Sequence, residues 1–243
     1  RRKKVQPMKK IKLISLVLLI IINLSISFKI NHQLTGISFQ EKKNNLIQNN
    51  ELGYYRHQFD PSLYLIEQNN NNLEQSFEQL YANSDLIIKG NLQSQKQETD
   101  LVLSTIQVNQ IYKGTLSNEK IIIDEFYCLD DYAVEGMNSI AIMDPHYGPI
   151  QNNKEYIFFL KELYPNHYTF VDLLYTKFPI DEIQIGNYQM INDMHTFDAK
   201  TFFNSDILRP LDYERLFSKQ PITNDYIQSY LDMNNLVKQK IAG

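Results

Sequence analysis

The scarcest reactive residue in this sequence is cysteine. Cys128 is the only one among 243 residues, so the chain cannot form an internal disulfide. No cysteine follows the apolar segment near the beginning, which excludes a lipoprotein acylation site there. A folded domain must therefore draw its stability from an apolar core, and the about 216 residues that follow Ser27 are enough to build one.

Basic residues are scarce after the beginning of the chain. Seven of the 24 lysines and arginines precede Phe28, whereas none of the 28 aspartates and glutamates does. The remaining chain carries 17 basic and 28 acidic residues, a formal charge of −11. Such an acidic protein repels phosphate backbones, so we expect no nucleic acid among its partners. Charge also disfavours docking on an anionic membrane surface.

The sequence contains no catalytic motif of defined spacing. Cys128, His146 and Asp144 are the residue types of a cysteine hydrolase, in which a thiolate needs an imidazole base and the base an orienting carboxylate. No nucleophile signature surrounds Cys128, so the favoured interpretation is a buried, inert thiol. Asp144 with His146 offers two metal ligands where a structural zinc site usually needs four. We therefore predict no metal and no cofactor, and we favour a protein that is not an enzyme.

The segment before Phe28 has the pattern of a secretory signal peptide. Its first part is basic, residues 13–24 are almost wholly apolar, and Ser25 and Ser27 place small residues where a signal peptidase reads. The apolar run is shorter than the about 20 residues that span a bilayer. We therefore predict that residues 1–27 are a signal peptide and that the protein is secreted or lies on the extracellular face of the cell membrane. Membrane attachment is expected only through this leader, if it is not cleaved.

Residues 28–72 are rich in asparagine and glutamine. Such tracts bury little apolar area and cannot offset the entropy lost on ordering, so this segment is predicted to be a tether. Apolar residues then recur at helical spacing from Leu73 to Tyr81, behind Asn72, a residue type that caps helix N termini. This pattern predicts a short helix that ends near Ser84.

Alternating apolar residues predict five strands in the domain that follows. The predicted strands are 85–92, 101–112, 120–126, 155–163 and 167–175. Gly90 in the first strand predicts a bulge or a sharp bend, and a change of phase at residues 109–110 in the second predicts a bulge. Both features curl a sheet. Pro165 and Asn166 predict a hairpin between the last two strands. The strand count and the long break after the third strand predict a five-stranded antiparallel OB-like barrel, although an open sheet or a sandwich fits the same pattern.

Three strand motifs resemble those of uncharacterised exported proteins of Gram-positive bacteria. The motifs are Ser84–Gly90, Val108–Gly114 and Lys154–Leu160. In that group, equivalent strands build an OB-like barrel that is similar in shape to netrin and TIMP modules. The resemblance covers residues 73–175 and implies the barrel fold and export, but it implies no catalytic residue. The disulfides of netrin and TIMP modules are absent, since Cys128 has no partner cysteine.

The last part of the chain, residues 181–243, is predicted to be a helical extension packed on the barrel. Thr223 or Asn224 is the expected N-cap of a final helix. One stripe of this helix is apolar and is predicted to face the core: Tyr226, Tyr230, Met233, Val237 and Ile241. Residues 183–190 are compatible with one more short strand pair.

The long connection between the third and fourth strands, residues 127–154, is the predicted site. Loops of this length inside a domain usually carry function. Exposed tyrosines there could bind a peptide or glycan by stacking and hydroxyl hydrogen bonds. The candidate binding residues are Asp130, Asp131, Tyr132, Asp144, His146 and Tyr147.

The sequence as a whole predicts an exported, non-enzymatic binding or interaction module of the bacterial cell envelope, in which residues 73–180 form the barrel. The expected partner is a protein, a peptide or a cell-wall component. One alternative is an extracellular hydrolase that uses Cys128, His146 and Asp144. Another is an inhibitor or immunity protein whose acidic surface steers it to a basic partner.

Overall fold

The computed structural model describes residues 38–49, 52–55, 64–98, 101–130, 139–142, 146–191, 194–210 and 226–242. The predicted signal peptide lies outside these ranges. The strands are β1 Leu52–Tyr55, β2 Leu86–Glu98, β3 Leu101–Lys113, β4 Lys120–Glu125, β5 Tyr127–Asp130, β6 Ser139–Ile142, β7 Glu155–Tyr164, β8 His167–Phe170, β9 Lys177–Pro179, β10 Ile185–Ile191, β11 Met194–Asp198 and β12 Ile207–Pro210. The helices are α1 Phe39–Gln48, α2 Leu65–Gln68, α3 Leu73–Asn83, α4 Ala199–Phe203 and α5 Tyr226–Val237, which continues as a π-helical turn, Lys238–Ala242.

Five strands close into the predicted OB-like barrel. β2 pairs with β3, β3 with β4, β4 with β8, β8 with β7, and β7 returns to β2. One feature differs from the prediction, because β4 and β8 run parallel. A closed ring with an odd number of strands cannot alternate direction throughout, so a purely antiparallel barrel of five strands is impossible. A sixth strand, β9, adds to β7 beside β8.

The predicted bulge at Asn109 is confirmed, and Gly90 lies opposite it in the same irregularity rather than forming a second bulge. In the β2–β3 ladder, Lys89 pairs with Gln110 and Gly90 pairs with Val108. Asn109 lies between these two partners and has no partner of its own in β2. A Cβ atom at Gly90 would lie 2.6 Å from the carbonyl oxygen of Gln107 and 2.7 Å from Cγ2 of Ile106. Glycine therefore permits the close approach of the two strands at the point where the sheet curls.

The strands of the barrel bury apolar side chains on both faces at β2 and β7. Alternate residues point into the barrel, and Ile88 and Phe158 are fully buried there. The intervening residues point outward, where Ile87 and Phe159 pack under α3 and α5. The helices therefore cover the outside of the barrel over β2 and β7, and the near-continuous apolar run of β7 reflects its burial on both faces.

Helix α3 has the predicted boundaries, and α5 has the predicted buried stripe. The side chain of Asn72 caps α3 by accepting a hydrogen bond of 3.0 Å from the backbone N–H of Gln75. In α5 and its π-helical turn, the predicted stripe is buried at Tyr226, Tyr230, Met233 and Val237 and partly buried at Ile241. The predicted N-caps of this last helix, Thr223 and Asn224, lie outside the described residues.

A second six-stranded sheet was not predicted. Its order is β12-β10-β11-β1-β6-β5, and β5 follows β4 directly after a bend at Phe126. β1 comes from the segment predicted as a tether, and β11 and β12 come from the extension predicted as helical. β10 lies where residues 183–190 are compatible with a strand. These strands are short and β1 pairs with β11 and β6, far away in the sequence. Local periodicity therefore carries little information about them.

Helix α1 also differs from the predicted tether. Ser38 caps it by accepting a hydrogen bond from the backbone N–H of Glu41. Leu46 is only 1% exposed in the core, and the buried ammonium of Lys43 lies 4.5 Å from the centroid of the Phe203 ring. A few apolar contacts therefore order this Asn/Gln-rich segment against the body of the protein. In the part of the chain that the structure describes, no helix is long and apolar enough to cross a membrane.

We expect Gly90→Ala to lower the free energy of unfolding by about 1–3 kcal/mol, because the backbone of Gln107 cannot make room for a methyl group. Denaturant unfolding of the purified chain measures this change. Ser94→Ala, at an exposed position of the same strand, is the control and should stay within about 0.5 kcal/mol of the parent protein. Equal stability of the two variants would show that the close approach at Gly90 is not a constraint.

Candidate functional site

Of the six predicted binding residues, the two whose side chains the structure describes are buried. Three of the six predicted binding residues lie outside the described residues: Asp131, Tyr132 and Asp144. Asp130 ends β5, and its side chain is likewise outside the description. His146 and Tyr147 are 3% and 2% exposed, so both lie in the interior.

His146 packs between aromatic residues of two helical segments. Its Nδ1 atom lies 2.9 Å from the hydroxyl oxygen of Tyr64, and its ring makes edge contacts with Tyr64 and Tyr226. Cys128, the other residue of the predicted hydrolase set, is on β5 and 5% exposed. A thiol at this depth is poorly accessible to a substrate. The geometry therefore offers no support to the hydrolase alternative.

Tyr147 helps to bind a carboxylate inside the barrel. Glu125 is fully buried, and its Oε2 atom accepts hydrogen bonds from the Tyr147 hydroxyl at 2.5 Å and the Ile150 backbone N–H at 2.8 Å. Its Oε1 atom accepts from the Gln95 amide at 2.7 Å and from the Ser104 hydroxyl. Four donors satisfy this buried charge, as burial demands. Glu125 therefore acts as an anchor for residues 147–150 rather than as a catalytic base.

The buried ammonium of Lys177 binds the same segment, residues 147–150, from the other side. Lys177 on β9 donates hydrogen bonds to the backbone carbonyls of Gly148 and Asp206, and its Nζ atom lies 4.4 Å from the centroid of the Tyr147 ring. Burial lowers the pKa of Lys177 to about 8, because it disfavours the charged form, although Asp206 and Glu125 oppose this effect. The lysine therefore joins the barrel to β12 of the second sheet.

The Asp206 carboxylate completes this connection. Its Oδ1 atom accepts hydrogen bonds from the Tyr156 hydroxyl at 2.7 Å and the Gln151 amide at 3.1 Å. Its Oδ2 atom accepts from the Lys154 ammonium at 2.7 Å and the Gln184 backbone N–H at 2.8 Å. This buried ion pair is fully hydrogen-bonded, which is the condition under which burial of charge is tolerated. Like Glu125, Asp206 has a structural role.

Open surface is found instead on the opposite side of the barrel from α3 and α5. Four residues form a row across neighbouring strands, because Thr105 pairs with Ile122, Ile122 with His167, and His167 with Tyr164. They point outward, since the flanking residues of β3, β4 and β8 are buried inside the barrel. Asp124, the next outward residue of β4, adjoins the row. We call these five residues the open barrel face.

Tyr164 is the most exposed member of this face. Its side chain is 53% exposed, and its ring stacks on the His167 ring with centroids 4.2 Å apart and planes 24° apart. Stacking covers one side of the tyrosine ring and fixes its orientation. The other side is therefore available to a ligand as a flat apolar platform.

Asp124 and His167 form an incomplete polar pair beside this platform. Oδ1 of Asp124 and Nδ1 of His167 are 3.9 Å apart, both atoms are buried from solvent, and neither has a hydrogen-bond partner among the residues that the structure describes. Partial burial raises the pKa of Asp124, and Glu98 adds to this effect while His167 opposes it. Buried polar groups are normally paired, so two unpaired atoms that face each other mark a functional candidate.

A groove of about 400 Å³ adjoins the open barrel face. It is lined by residues 108–111 at the end of β3 and residues 116–119 of the following loop. The Asn118 amide donates a hydrogen bond of 3.1 Å to the side chain of Asn166, which lies in the β7–β8 turn after Tyr164. This contact makes the groove and the platform parts of one surface at one end of the barrel.

Sequence reasoning missed this surface although its signals are visible. The hairpin turn after Tyr164 was predicted, and Asp124 and His167 each occupy an outward phase of a predicted strand. What the sequence does not show is that β4 and β8 are neighbours, which alone brings these two residues together. Within the described ranges, the structure brings together no group of three or more His, Cys, Asp or Glu residues that could hold a metal ion.

Comparison with known proteins adds no assignment to this geometry. The chain matches no protein-family model, and a comparison with curated proteins finds no match. Functional inference therefore rests on the site itself.

The buried Lys177 should leave a signature in the pH dependence of stability. Its pKa is about 8 in the folded protein and 10.5 as the ordinary value, so the unfolded chain binds more protons between these pH values. The free energy of unfolding should therefore rise with pH above 8, by at most about 1.4 kcal/mol per pH unit from this group. Denaturant unfolding between about pH 7.5 and about pH 9.5 measures this slope. The upper limit keeps the tyrosines protonated.

Lys177→Met is the variant that isolates this contribution, because other lysines titrate equally in both proteins. We expect the difference in unfolding free energy between the parent and this variant to change with pH in that window. A constant difference would contradict the assignment of a lowered pKa to Lys177.

Asp124 is expected to contribute little to stability, because it lacks the hydrogen bonds that would offset its partial burial. Asp124→Ala should change the free energy of unfolding by no more than about 0.5 kcal/mol. The matched variant is Asp172→Ala, since the Asp172 carboxylate accepts hydrogen bonds from the backbone N–H groups of Leu65, Leu174 and Tyr175. Its loss should cost at least about 2 kcal/mol. Equal costs in urea unfolding would mean that Asp124 is a structural residue.

Proposed function

We propose that this protein is an exported, non-enzymatic binding module that recognises a component of the cell envelope through its open barrel face. The observation that carries this proposal is the exposed Tyr164 ring, stacked on His167, with an open groove beside it. The leader pattern of residues 1–27 supports the compartment.

The contrast between interior and surface supports a binding role. The buried charges Glu125, Lys177 and Asp206 are each hydrogen-bonded within the protein, so they serve the fold. The exposed Tyr164 ring lies instead on the outside of the barrel, where it serves no packing in the core. Residues kept for binding commonly add nothing to stability. This division favours recognition at the surface over chemistry in the interior.

The location of the face supports the same proposal. OB-fold barrels bind oligonucleotides and oligosaccharides on the face of their second and third strands. Here those strands are β3 and β4, which carry Thr105, Ile122 and Asp124. The acidic balance of the chain argues against the oligonucleotide class. A component of the envelope remains the partner that agrees with both the face and the leader.

Co-sedimentation of the purified full chain with isolated Gram-positive cell walls and with intact cells tests this function. We expect saturable sedimentation of the parent protein and at least a tenfold weaker apparent affinity for Tyr164→Ala, which removes the exposed platform. Tyr81→Ala is the matched control, because Tyr81 is an exposed tyrosine on α3, outside the open barrel face. Failure of the parent protein to sediment with either preparation would overturn the proposed function.

A further inference from the structure

We propose that Asp124 and His167 form a proton-dependent latch, a contact across the β4–β8 seam of the barrel that closes when the pair takes up a proton and then fixes the exposed Tyr164 ring. The latch goes beyond the proposed function, because it is a property of the fold and no ligand takes part in it. Three observations support it: the short pairing at the seam, the open geometry of the pair, and the stack that links the pair to Tyr164.

The β4–β8 seam has the shortest pairing in the ring of five strands. The two strands share two residue pairs, Ile122 with His167 and Ile123 with Tyr168, whereas β2 and β7 share six. The backbone N–H of Ile122 donates a hydrogen bond of 3.0 Å to the carbonyl oxygen of Asn166 at the end of the seam. Because so few backbone groups join these strands, a side-chain contact across the seam contributes to their stability in proportion.

Asp124 and His167 face each other across this seam without forming a hydrogen bond. Their Oδ1 and Nδ1 atoms are 3.9 Å apart, about 1 Å more than a normal hydrogen bond. A neutral imidazole gives the carboxylate no charged partner, whereas an imidazolium carries a proton on both ring nitrogens and attracts the carboxylate. The side chains of Asp124 and His167 keep 14% and 19% of their surface exposed, so the pair can exchange protons with solvent.

The surroundings of the pair set the direction of the effect. Partial burial raises the pKa of Asp124, and Glu98 on β2 adds to this effect while His167 opposes it. Glu98 itself forms an ion pair with Lys96, and β3 places the uncharged Leu103 opposite Asp124. The folded pair therefore binds a proton more readily than the same groups do in the unfolded chain. Its contribution to the free energy of unfolding must then rise as the pH falls.

The aromatic stack carries this effect to the surface. Tyr164 is the titratable group that β7 places against His167, and the centroids of the two rings are 4.2 Å apart. The face of an aromatic ring attracts a cation, so an imidazolium holds the tyrosine ring more firmly than a neutral imidazole does. Proton uptake therefore stiffens both the seam and the exposed ring beside it.

A double-mutant cycle of Asp124→Asn, His167→Gln and the double variant tests the latch in the full chain. Denaturant unfolding is measured at about pH 7.5 and about pH 5.5, on either side of the ordinary histidine titration. We expect almost no coupling between the two residues at the higher pH. At the lower pH, their coupling should raise the ratio of folded to unfolded protein at least about fivefold.

The matched control is the cycle of Asp85→Asn and Lys161→Met. The Lys161 ammonium and the Asp85 carboxylate are 2.9 Å apart, and their hydrogen bond is the main cause that lowers the pKa of Asp85. A lysine and such a carboxylate both keep their charges over this pH range, so this coupling should be the same at both pH values. Coupling between Asp124 and His167 that is equally independent of pH would overturn the latch.

The NMR signals of the Tyr164 ring test the link to the surface. We expect these signals to shift between the two pH values in the parent protein and to shift at least threefold less in His167→Gln. Tyr81, an exposed tyrosine on α3, is the internal reference and should not follow the same titration. Tyr164 signals that shift as much in His167→Gln as in the parent would contradict the proposal.

Discussion

In a closed ring of five strands, neighbouring strands cannot all run antiparallel, because the number of strands is odd. Here the return of β7 to β2 closes the ring, and the parallel pair falls between β4 and β8. That pair places Ile122 beside His167 and brings Asp124 within reach of the same histidine. Closure also demands strong curvature, which the bulge at Asn109 and the small size of Gly90 permit. The open barrel face is therefore a consequence of how the barrel closes.

Buried charges connect this barrel to the second sheet. Glu125 holds the segment of residues 147–150 from inside the barrel, and Lys177 holds it from β9. Asp206 joins β12 to the barrel through the Tyr156 hydroxyl. Each of these charges is costly to bury and is retained with hydrogen-bond partners, so removal of one partner would leave another group unsatisfied. The interior of the molecule is in this way specialised for stability.

The outside of the barrel is divided between two roles. Over β2 and β7, helices α3 and α5 cover apolar residues such as Ile87 and Phe159. On the side of β3, β4 and β8, the exposed ring of Tyr164 at the end of β7 stacks on His167 of β8. The cover of α3 and α5 over the side of β2 and β7 buries apolar surface. The barrel depends on such burial because the chain has no internal disulfide.

The sequence by itself determined the features that depend on neighbouring residues. Asn72 marks the start of α3, Asn109 marks the bulge opposite Gly90, and Asn166, with a positive φ of 65°, makes the tight β7–β8 turn. These follow from capping, sterics and turn geometry, which act over a few residues. The number of strands and their alternation then indicated the barrel.

Only the tertiary structure decided which strands are neighbours and which polar residues are buried. The parallel β4–β8 pair, the pairing of β1 with β11 and the burial of His146 all join segments that are distant in the chain. The packing of the whole core selects such pairings. A short strand has too few residues for its sequence to show which strand it will pair with. For this reason the predicted loop residues His146 and Tyr147 became part of the interior, while the candidate site lies on a face that assembles only when the barrel closes.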